Sequence, residues 1–227
     1  MKALMLFGSK ARHDSEPGSD IDLLAIYDGE KIKSIFHGTV HLFLYPEEIL
    51  LDKMNQGDLF ALHLKEESIV LNGNEVAQKI FSKFKYKNSY DYDISVAVFL
   101  ASEILMSYHG LKNKKIANKK LAWCLRTVII ATSAGKREPI FAKKKLSSYI
   151  KIPNLTSHDM EILINIKNFS IPLPDRYLDK FNVFFKYFDF IKKDYSKLLN
   201  ESIVINTMRD LHRINNDNDN YNLWCNK

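Results

Sequence analysis

The pattern of apolar and polar residues changes in character after residues 86–89, and this change divides the chain into two parts. In the first part, short apolar runs that end at turn signals predict buried β-strands. Apolar residues at helical spacing predict short helices after these strands. The strands are predicted over residues 2–7, 20–27, 39–45 and 68–71, and the helices over about 46–54, 58–67 and 75–84.

The second part of the chain shows helical spacing with almost no strand pattern. Its apolar residues predict helices over about 93–109, 115–134, 141–150, 157–168 and 175–199. The sequence therefore predicts an α+β fold, in which a small mixed-sheet domain over residues 1–87 is followed by an all-helical bundle domain over residues 88–212. Residues 213–227 are rich in Asn and Asp and cannot bury apolar surface, so they are predicted to form a disordered tail.

Composition excludes several classes of protein. No stretch approaches the run of about eighteen apolar residues that a membrane-spanning helix needs, so no membrane association is expected. The apolar run at the N-terminus is too short for a signal peptide. The cysteines, Cys124 and Cys225, lie far apart in sequence, which gives no support to a zinc site or a disulfide framework. We therefore expect a cytoplasmic protein.

Positive charge is concentrated in the middle of the chain. The whole sequence has a formal net charge of +6. Residues 112–145 contain eleven Lys or Arg and one Glu, whereas residues 1–87 contain eleven Lys or Arg and thirteen Asp or Glu. Such a basic segment attracts polyphosphate, nucleic acid or an acidic protein, but it is equally typical of a solvated helix face. The sequence leaves both interpretations open.

Two carboxylates at the start of the second predicted strand are the candidate metal ligands. Asp20 and Asp22 are two residues apart, so their side chains point to the same face of an extended strand. Carboxylates held this close repel each other unless a cation lies between them. Oxygen ligands favour Mg²⁺ or Mn²⁺, and Mg²⁺ is usually held by one or two carboxylates plus substrate phosphates.

A glycine-serine pair at the end of the first predicted strand is the candidate phosphate-binding turn. Gly8 lets the backbone approach a phosphate, and Ser9 offers a hydroxyl and an N–H at the start of a helix. Lys10 and Arg12 follow on the same turn and are expected to neutralise the phosphates. Ten residues separate this pair from the aspartates, and the combination favours a nucleotide and metal site.

The glycine-serine and aspartate motifs together resemble those of a known family. The segments Phe7–Arg12 and Ser19–Leu24 are similar to the signature of the DNA polymerase β-like nucleotidyltransferase superfamily, and above all to its minimal nucleotidyltransferases. The segments Phe60–Glu67 and Val70–Gly73 are similar to the same branch. More loosely, the helical part resembles the helical domains of antibiotic nucleotidyltransferases and of HEPN-type partners.

The resemblance implies an enzyme that transfers a nucleoside monophosphate from an NTP, with ATP the expected nucleotide, to an acceptor hydroxyl and releases pyrophosphate. It implies that Asp20 and Asp22 are catalytic residues that bind the metal ion. It also implies that Gly8 and Ser9 form the triphosphate-binding turn. The predicted nucleotide-binding set is Gly8, Ser9, Lys10, Arg12 and Ser19.

The third predicted strand departs from the family pattern. Relatives usually carry a third carboxylate there, and in this chain the position falls on His41. A neutral imidazole can act as a general base because its ordinary pKa is about 6.5. Alternatively, the base comes from the helical domain, where Glu103 and Glu138 are candidates, or the protein binds nucleotide without transferring it.

The acceptor and the partners also stay open at the level of sequence. One hypothesis is a small molecule such as an antibiotic, held between the two domains. A second is a protein or tRNA, as for antitoxin-type enzymes that modify a HEPN-type partner. A third is a non-enzymatic, nucleotide-binding interaction module. No helix precedes the first predicted strand, so a sheet face is expected to be available to a partner or to a second subunit in a homodimer.

Overall fold

The computed structural model describes residues 1–15, 17–189, 191 and 194–213, which form two compact units. One unit spans Met1–Asn88 and the other begins at Ser89. The first contains a mixed β-sheet with helices and the second is helical, so the predicted α+β class is confirmed. That each unit folds on its own, with the limits 1–87 and 88–212, stays a prediction. The predicted tail over 213–227 lies, after Arg213, outside the described residues.

The first unit is built on five strands. Its elements are β1 (Ala3–Phe7), α1 (Gly8–Ala11), β2 (Ile21–Tyr27), β3 (Lys33–His37), β4 (Val40–Pro46), α2 (Glu47–Asn55), α3 (Leu59–Glu67), β5 (Ile69–Asn72) and α4 (Asn74–Phe81). The strand order is β3-β4-β2-β1-β5. The pair β2 and β4 is parallel, whereas the other neighbours are antiparallel. All predicted strands are present in this sheet.

The apolar pattern does not predict β3, and the structure gives the reason. This strand lies at the edge of the sheet, pairs with β4, and has four of its five residues exposed. Because it buries no complete face, its sequence Lys33–His37 lacks the apolar alternation that marks the other strands. The strand therefore depends on hydrogen bonds to β4 rather than on its own burial.

One face of the sheet forms the core of the first unit with the three longer helices. Met5, Leu24 and Ile26 on the strands are fully buried against residues of α2, α3 and α4. The helix residues in this core are Leu50, Met54, Ala61, Leu64, Ala77, Ile80 and Phe81. Burial of these side chains provides the main stabilisation of the unit, since each fully buried large aliphatic group contributes roughly 1.5–3 kcal/mol.

The opposite face of the sheet carries an aliphatic row that crosses all the strands. The strand register aligns Leu23 of β2 with Leu6 of β1 and Leu42 of β4. The row continues to the two edge strands, where Ile35 is 51% exposed and Ile69 is 40% exposed. None of these five residues belongs to the core that packs against α2, α3 and α4.

Over its described residues, the second unit consists of helices and two short 3₁₀ turns, Tyr108–Gly110 and Ile166–Asn168. The helices are α5 (Asp91–Ser107), α6 (Lys114–Gly135), α7 (Lys143–Tyr149), α8 (Ser157–Asn165), α9 (Asp175–Lys186), α10 (Tyr195–Leu199) and α11 (Ser202–His212). The long helices α5 and α6 pack against each other and bury most of their apolar side chains.

The predicted helix over 175–199 is in fact two helices. The helix α9 ends at Lys186, and α10 begins at Tyr195 after an N-cap in which the Asp194 side chain accepts a hydrogen bond from the Lys197 amide. Aromatic residues at 181, 184, 185, 187 and 188 keep the apolar periodicity past the end of α9, which explains why the pattern predicts a longer helix. The helix α11 is an addition that the sequence pattern does not predict.

A buried polar group joins three segments of the second unit. The Tyr108 hydroxyl donates to Asn118 Oδ1 at 2.8 Å and accepts from the Leu173 amide at 2.8 Å. Asn118 Nδ2 donates to the carbonyl oxygens of Phe169 and Ile171, each at 2.9 Å. Because these buried groups satisfy one another, α6 and the segment 169–173 are fixed in one arrangement.

A charged group joins α8 to α9. Thr156 caps α8 through a capping box with Asp159, and the Asp159 carboxylate also accepts a hydrogen bond from the Lys180 ammonium on α9. The side chain of Asp159 is 15% exposed. The hydrogen bond from Lys180 and those from Thr156 lower the pKa of Asp159 from 3.8 to about 2.

We predict that Asp159 makes the stability of the second unit depend on pH in the acid range. The lowered pKa means that its ionised form stabilises the fold above about pH 3.8, and that this contribution is lost as the pH falls towards about 2. The unfolding free energy of Asp159→Asn should therefore lie below that of the wild-type protein near pH 5 and converge on it near pH 2. Denaturant unfolding at a series of pH values measures this. A difference that stays constant down to pH 2 would contradict it.

Candidate functional site

The strand register places three side chains in one row on the helix-covered face of the sheet. Asp22 of β2 is paired with Phe7 of β1 on one side and with His41 of β4 on the other. Paired residues point to the same face, so the Asp22 carboxylate lies between the end of β1 and the imidazole. Asp22 is half-buried, and Asp20, which directly precedes the strand, is exposed.

Asp20 interacts electrostatically with His41. The negative charge of Asp20 raises the pKa of His41, although burial of the imidazole has the larger and opposite effect. The structure therefore brings together the three residues, Asp20, Asp22 and His41, that the sequence proposes for catalysis. Their assignment as catalytic residues rests on this arrangement and stays a prediction.

Gly8 brings the start of α1 against the Asp22 carboxylate. Its φ angle is +74°, and a Cβ atom at this position would lie 2.8 Å from Asp22 Oδ2. Both facts require glycine here, because other residues rarely adopt a positive φ and because a side chain would displace the carboxylate. The turn that carries Ser9 and Lys10, both half-buried, is thus adjacent to the candidate metal ligand.

The turn itself is closed by backbone hydrogen bonds. The Arg12 amide donates to the Gly8 carbonyl oxygen at 3.2 Å, and the Asp14 amide donates to the Ser9 carbonyl oxygen at 3.1 Å. The carbonyl groups of Gly8 and Ser9 therefore point towards the C-terminal end of α1. The N–H groups at the start of a helix point the opposite way, along the helix axis, which suits contact with an anion.

Arg12 has acidic partners within the protein. Its guanidinium group donates to Glu67 Oε2 at 2.7 Å and to Asp14 Oδ2 at 3.2 Å, and its side chain is only 13% exposed. Burial lowers the pKa of Arg12, but the hydrogen bonds and charges of Glu67 and Asp14 outweigh burial and raise it. Sequence reasoning gives Arg12 a phosphate-binding role and does not find these partners. Glu67 lies in the segment Phe60–Glu67, which resembles the family, and this is the signal that could have indicated a partner for Arg12.

His41 lies in an aromatic environment. Its side chain is almost completely buried, with the Phe43 ring 3.9 Å away and the Phe36 ring edge-on at 5.7 Å, measured between ring centres. Burial lowers the pKa of the imidazole below 6.5. A neutral imidazole is therefore the main form at pH 7, and it can accept a proton, although the protonated form repels a cation.

The remaining candidates occupy different places in the chain. Ser19 is half-buried and directly precedes Asp20. Glu103 lies on α5, and Glu138 follows the end of α6, so both alternatives for the general base belong to the second unit. Within the first unit, the strand register places His41 beside Asp22, and the two glutamates stay alternative predictions.

The carboxylate pair fits a metal ion that substrate helps to hold. Among the residues that the structure describes, no group of three or more His, Cys, Asp and Glu side chains could hold a metal ion alone. Asp20 and Asp22 provide only oxygen ligands, and phosphate oxygens and water can complete an octahedral Mg²⁺ site. The donor set on this strand therefore fits Mg²⁺ or Mn²⁺ bound together with a nucleotide.

Comparison with known proteins identifies the family. A model of the nucleotidyltransferase domain matches residues 2–124, which is more than half of the chain. The chain therefore belongs to the nucleotidyltransferase domain family, and the resemblance to the DNA polymerase β-like superfamily is confirmed. This family supports a general function in transferring nucleoside monophosphates.

The matched segment includes the whole strand and turn arrangement of the first unit and ends within α6. No curated protein matches the chain significantly. Within the described ranges, none of the helices has the length and apolar character that crossing a membrane requires.

We predict that Gly8→Ala disrupts the site because the new methyl group and the Asp22 carboxylate cannot occupy the same space. Mg²⁺-dependent NTP binding should weaken by more than about tenfold, since small displacements of reacting groups have large effects. Gly38→Ala is the matched control, because Gly38 also has a positive φ, +59°, but has open space around its Cβ position. Calorimetric titration of both variants with MgATP measures the effect. Equal affinities would contradict the assignment.

Proposed function

We propose that this protein transfers a nucleoside monophosphate from an NTP to an acceptor hydroxyl and releases pyrophosphate. The observation that supports this most directly is the position of the Asp22 carboxylate between the Gly8 turn and His41, with Asp20 two residues away. A phosphate-binding turn, a carboxylate pair and a proton acceptor are the parts that phosphoryl-type transfer requires. They lie side by side within the first unit.

In the proposed mechanism, the turn at the start of α1 binds the triphosphate. The Ser9 hydroxyl and the N–H groups of the turn donate hydrogen bonds to phosphate oxygens, and the Lys10 ammonium adds positive charge. Ser19 is proposed to contribute to the same nucleotide site. Asp20 and Asp22 would hold Mg²⁺ or Mn²⁺, which supplies neutralisation of phosphate charge when bound.

His41 is proposed to remove the proton from the acceptor hydroxyl. As the acceptor oxygen bonds to the α-phosphorus, the bond from this phosphorus to the pyrophosphate oxygen breaks and the proton moves to the imidazole. The lowered pKa keeps the imidazole neutral and ready to accept this proton at pH 7. It also limits the driving force for transfer, because a weaker base holds the proton less tightly.

The acceptor is proposed to be neutral or anionic rather than polycationic. The strands β3 and β4, which carry Phe36 and His41, contain no Asp or Glu. The basic segment at 112–145 also disfavours a cationic acceptor. Within this limit, the chemistry is compatible with three kinds of acceptor: a small molecule, a protein such as a HEPN-type partner, or an RNA such as tRNA. The protein itself is proposed to act as a monomer or as a homodimer.

A cytoplasmic location is part of the same proposal. Cys124 is a buried free thiol, and burial raises its pKa to about 12, so it stays protonated and unreactive. A reducing compartment suits a free cysteine.

The second candidate function is a nucleotide-binding interaction module without transferase activity. The observation that favours it is His41, which is paired with Asp22 at the position where the family resemblance implies a third carboxylate, so the proposed metal site would have one ligand fewer. The two functions share the nucleotide site and differ only in whether the α-phosphate is transferred.

We predict that Asp22→Asn and Asp20→Asn each abolish transfer while leaving the protein folded. Each protein is incubated with cell extract and with each NTP labelled at the α-phosphate. Only the wild-type protein should transfer label to a small molecule, a protein or RNA of the extract. The melting temperatures of the variants should be unchanged or higher, because each removes one of two mutually repelling charges. Transfer by both variants at the wild-type rate would contradict the assignment.

We predict that His41→Ala lowers transfer by about two to four orders of magnitude, the usual scale for loss of a general base. The affinity for NTP should hardly change, because the triphosphate is bound by the turn at the start of α1. Single-turnover transfer and equilibrium binding separate these two effects. Transfer at the wild-type rate would place the base elsewhere, with Glu103→Gln and Glu138→Gln the next variants. A gain of transfer in His41→Asp, with none in the wild type, would favour the binding module.

A further inference from the structure

Four side chains around α1 and α3 form a connected group that the proposed mechanism does not use. Glu67 Oε2 lies 2.7 Å from Arg12 Nη1 and 2.9 Å from His63 Nε2. Arg12 also donates from Nε to Asp14 Oδ2 at 3.2 Å, and its Nη1 atom is 3.4 Å from His63 Nε2. We refer to Arg12, Asp14, His63 and Glu67 as the Arg12 cluster.

The Arg12 cluster contacts the chain on both sides of the phosphate-binding turn. Arg12 directly follows α1, whereas Phe7 directly precedes it. The His63 ring packs edge-on against the Phe7 ring, with 5.9 Å between the ring centres and an angle of 84° between the rings. Two residues of α3, His63 and Glu67, therefore contact the residues directly before and after α1, which is only four residues long.

Burial makes these contacts strong enough to order the turn. The side chains of Arg12, Glu67 and His63 are 13%, 15% and 18% exposed, respectively. An ion pair with little solvent contact is screened less than a surface pair, and the loss of one partner leaves the other charge poorly compensated. A short helix without such contacts is unstable because its few internal hydrogen bonds do not offset the cost of ordering it.

We propose that Glu67 and His63 are positioning residues of the nucleotide site, which fix the Gly8–Ala11 turn against Asp22 by holding Arg12 and Phe7. The part that concerns nucleotide affinity rests on the proposed function, whereas the part that concerns the order of the turn does not. Positioning matters here because a Cβ atom on Gly8 would lie 2.8 Å from Asp22 Oδ2, so a loosened turn moves the proposed phosphate donors away from a carboxylate that the sheet register holds in place.

Hydrogen exchange tests the order of the turn without any ligand. In Glu67→Gln, the amides of Arg12 and Asp14, which close the turn, should exchange at least about tenfold faster than in the wild type. Amides of β2 in the same sample should exchange at the wild-type rate. Glu66→Gln is the matched control, since Glu66 is the next residue on the helix and pairs with Lys65 at the surface. If Glu67→Gln fails to fold, Arg12→Lys keeps the charge and loses the two-pronged contact.

Nucleotide binding tests the consequence for function. Glu67→Gln should raise the dissociation constant of MgATP by about tenfold or more, the usual effect of losing a residue that supports a ligand site. Transfer at saturating nucleotide should change by less than about threefold, in contrast to Asp22→Asn. Glu66→Gln should change neither quantity.

The outcomes separate this proposal from the proposed function. Unchanged exchange at Arg12 and Asp14 overturns the proposal, and so does faster exchange throughout the sheet with unchanged affinity, which would show a general loss of stability only. If the wild-type protein binds no NTP, the proposed function is wrong, and faster exchange confined to the turn still supports the positioning of α1 by the Arg12 cluster.

Discussion

The close approach of the Gly8 backbone to the Asp22 carboxylate is the constraint on which the rest of the site depends. It follows from the antiparallel register of β1 and β2, which pairs Phe7 with Asp22 and so delivers the next residue to the carboxylate. A shift of one residue in this register would turn Asp22 to the other face of the sheet. Burial of Met5, Leu24 and Ile26 on the same face opposes such a shift. The hydrophobic core of the first unit therefore also fixes the position of Asp22.

Two kinds of interaction hold the site, and they act on different parts of it. The sheet register fixes Asp22 and His41, which belong to neighbouring parallel strands. The short turn at α1 is not part of the sheet hydrogen bonding. It is held by side-chain contacts with α3, where Glu67 pairs with Arg12 and with His63. The part held by the sheet therefore carries the candidate metal ligand and base, whereas the part held by side chains carries the candidate phosphate donors. Sites that must admit and release a ligand often divide in this way.

The sequence predicts most of the first unit because its signals are local. Apolar runs identify β1, β2, β4 and β5, and the motifs with Gly8, Asp20 and Asp22 identify the family and give the candidate site. Features that depend on contacts distant in sequence are missed. The edge strand β3 has no buried face to mark it, and the partners of Arg12 on α3, His63 and Glu67, lie more than fifty residues away in sequence. In the second unit, aromatic residues after Lys186 imitate a longer helix, because periodicity reports burial and not the path of the backbone.

The presence of His41 beside Asp22 also affects how the protein reaches its folded state. A third carboxylate in this row would add a like charge next to Asp20 and Asp22, and their repulsion would oppose folding until a cation bound. An uncharged imidazole adds no such repulsion. Its ring also packs against the rings of Phe36 and Phe43, which contributes apolar burial. The first unit therefore meets less electrostatic opposition to completing its sheet without a cation than a chain with three carboxylates in this row would meet.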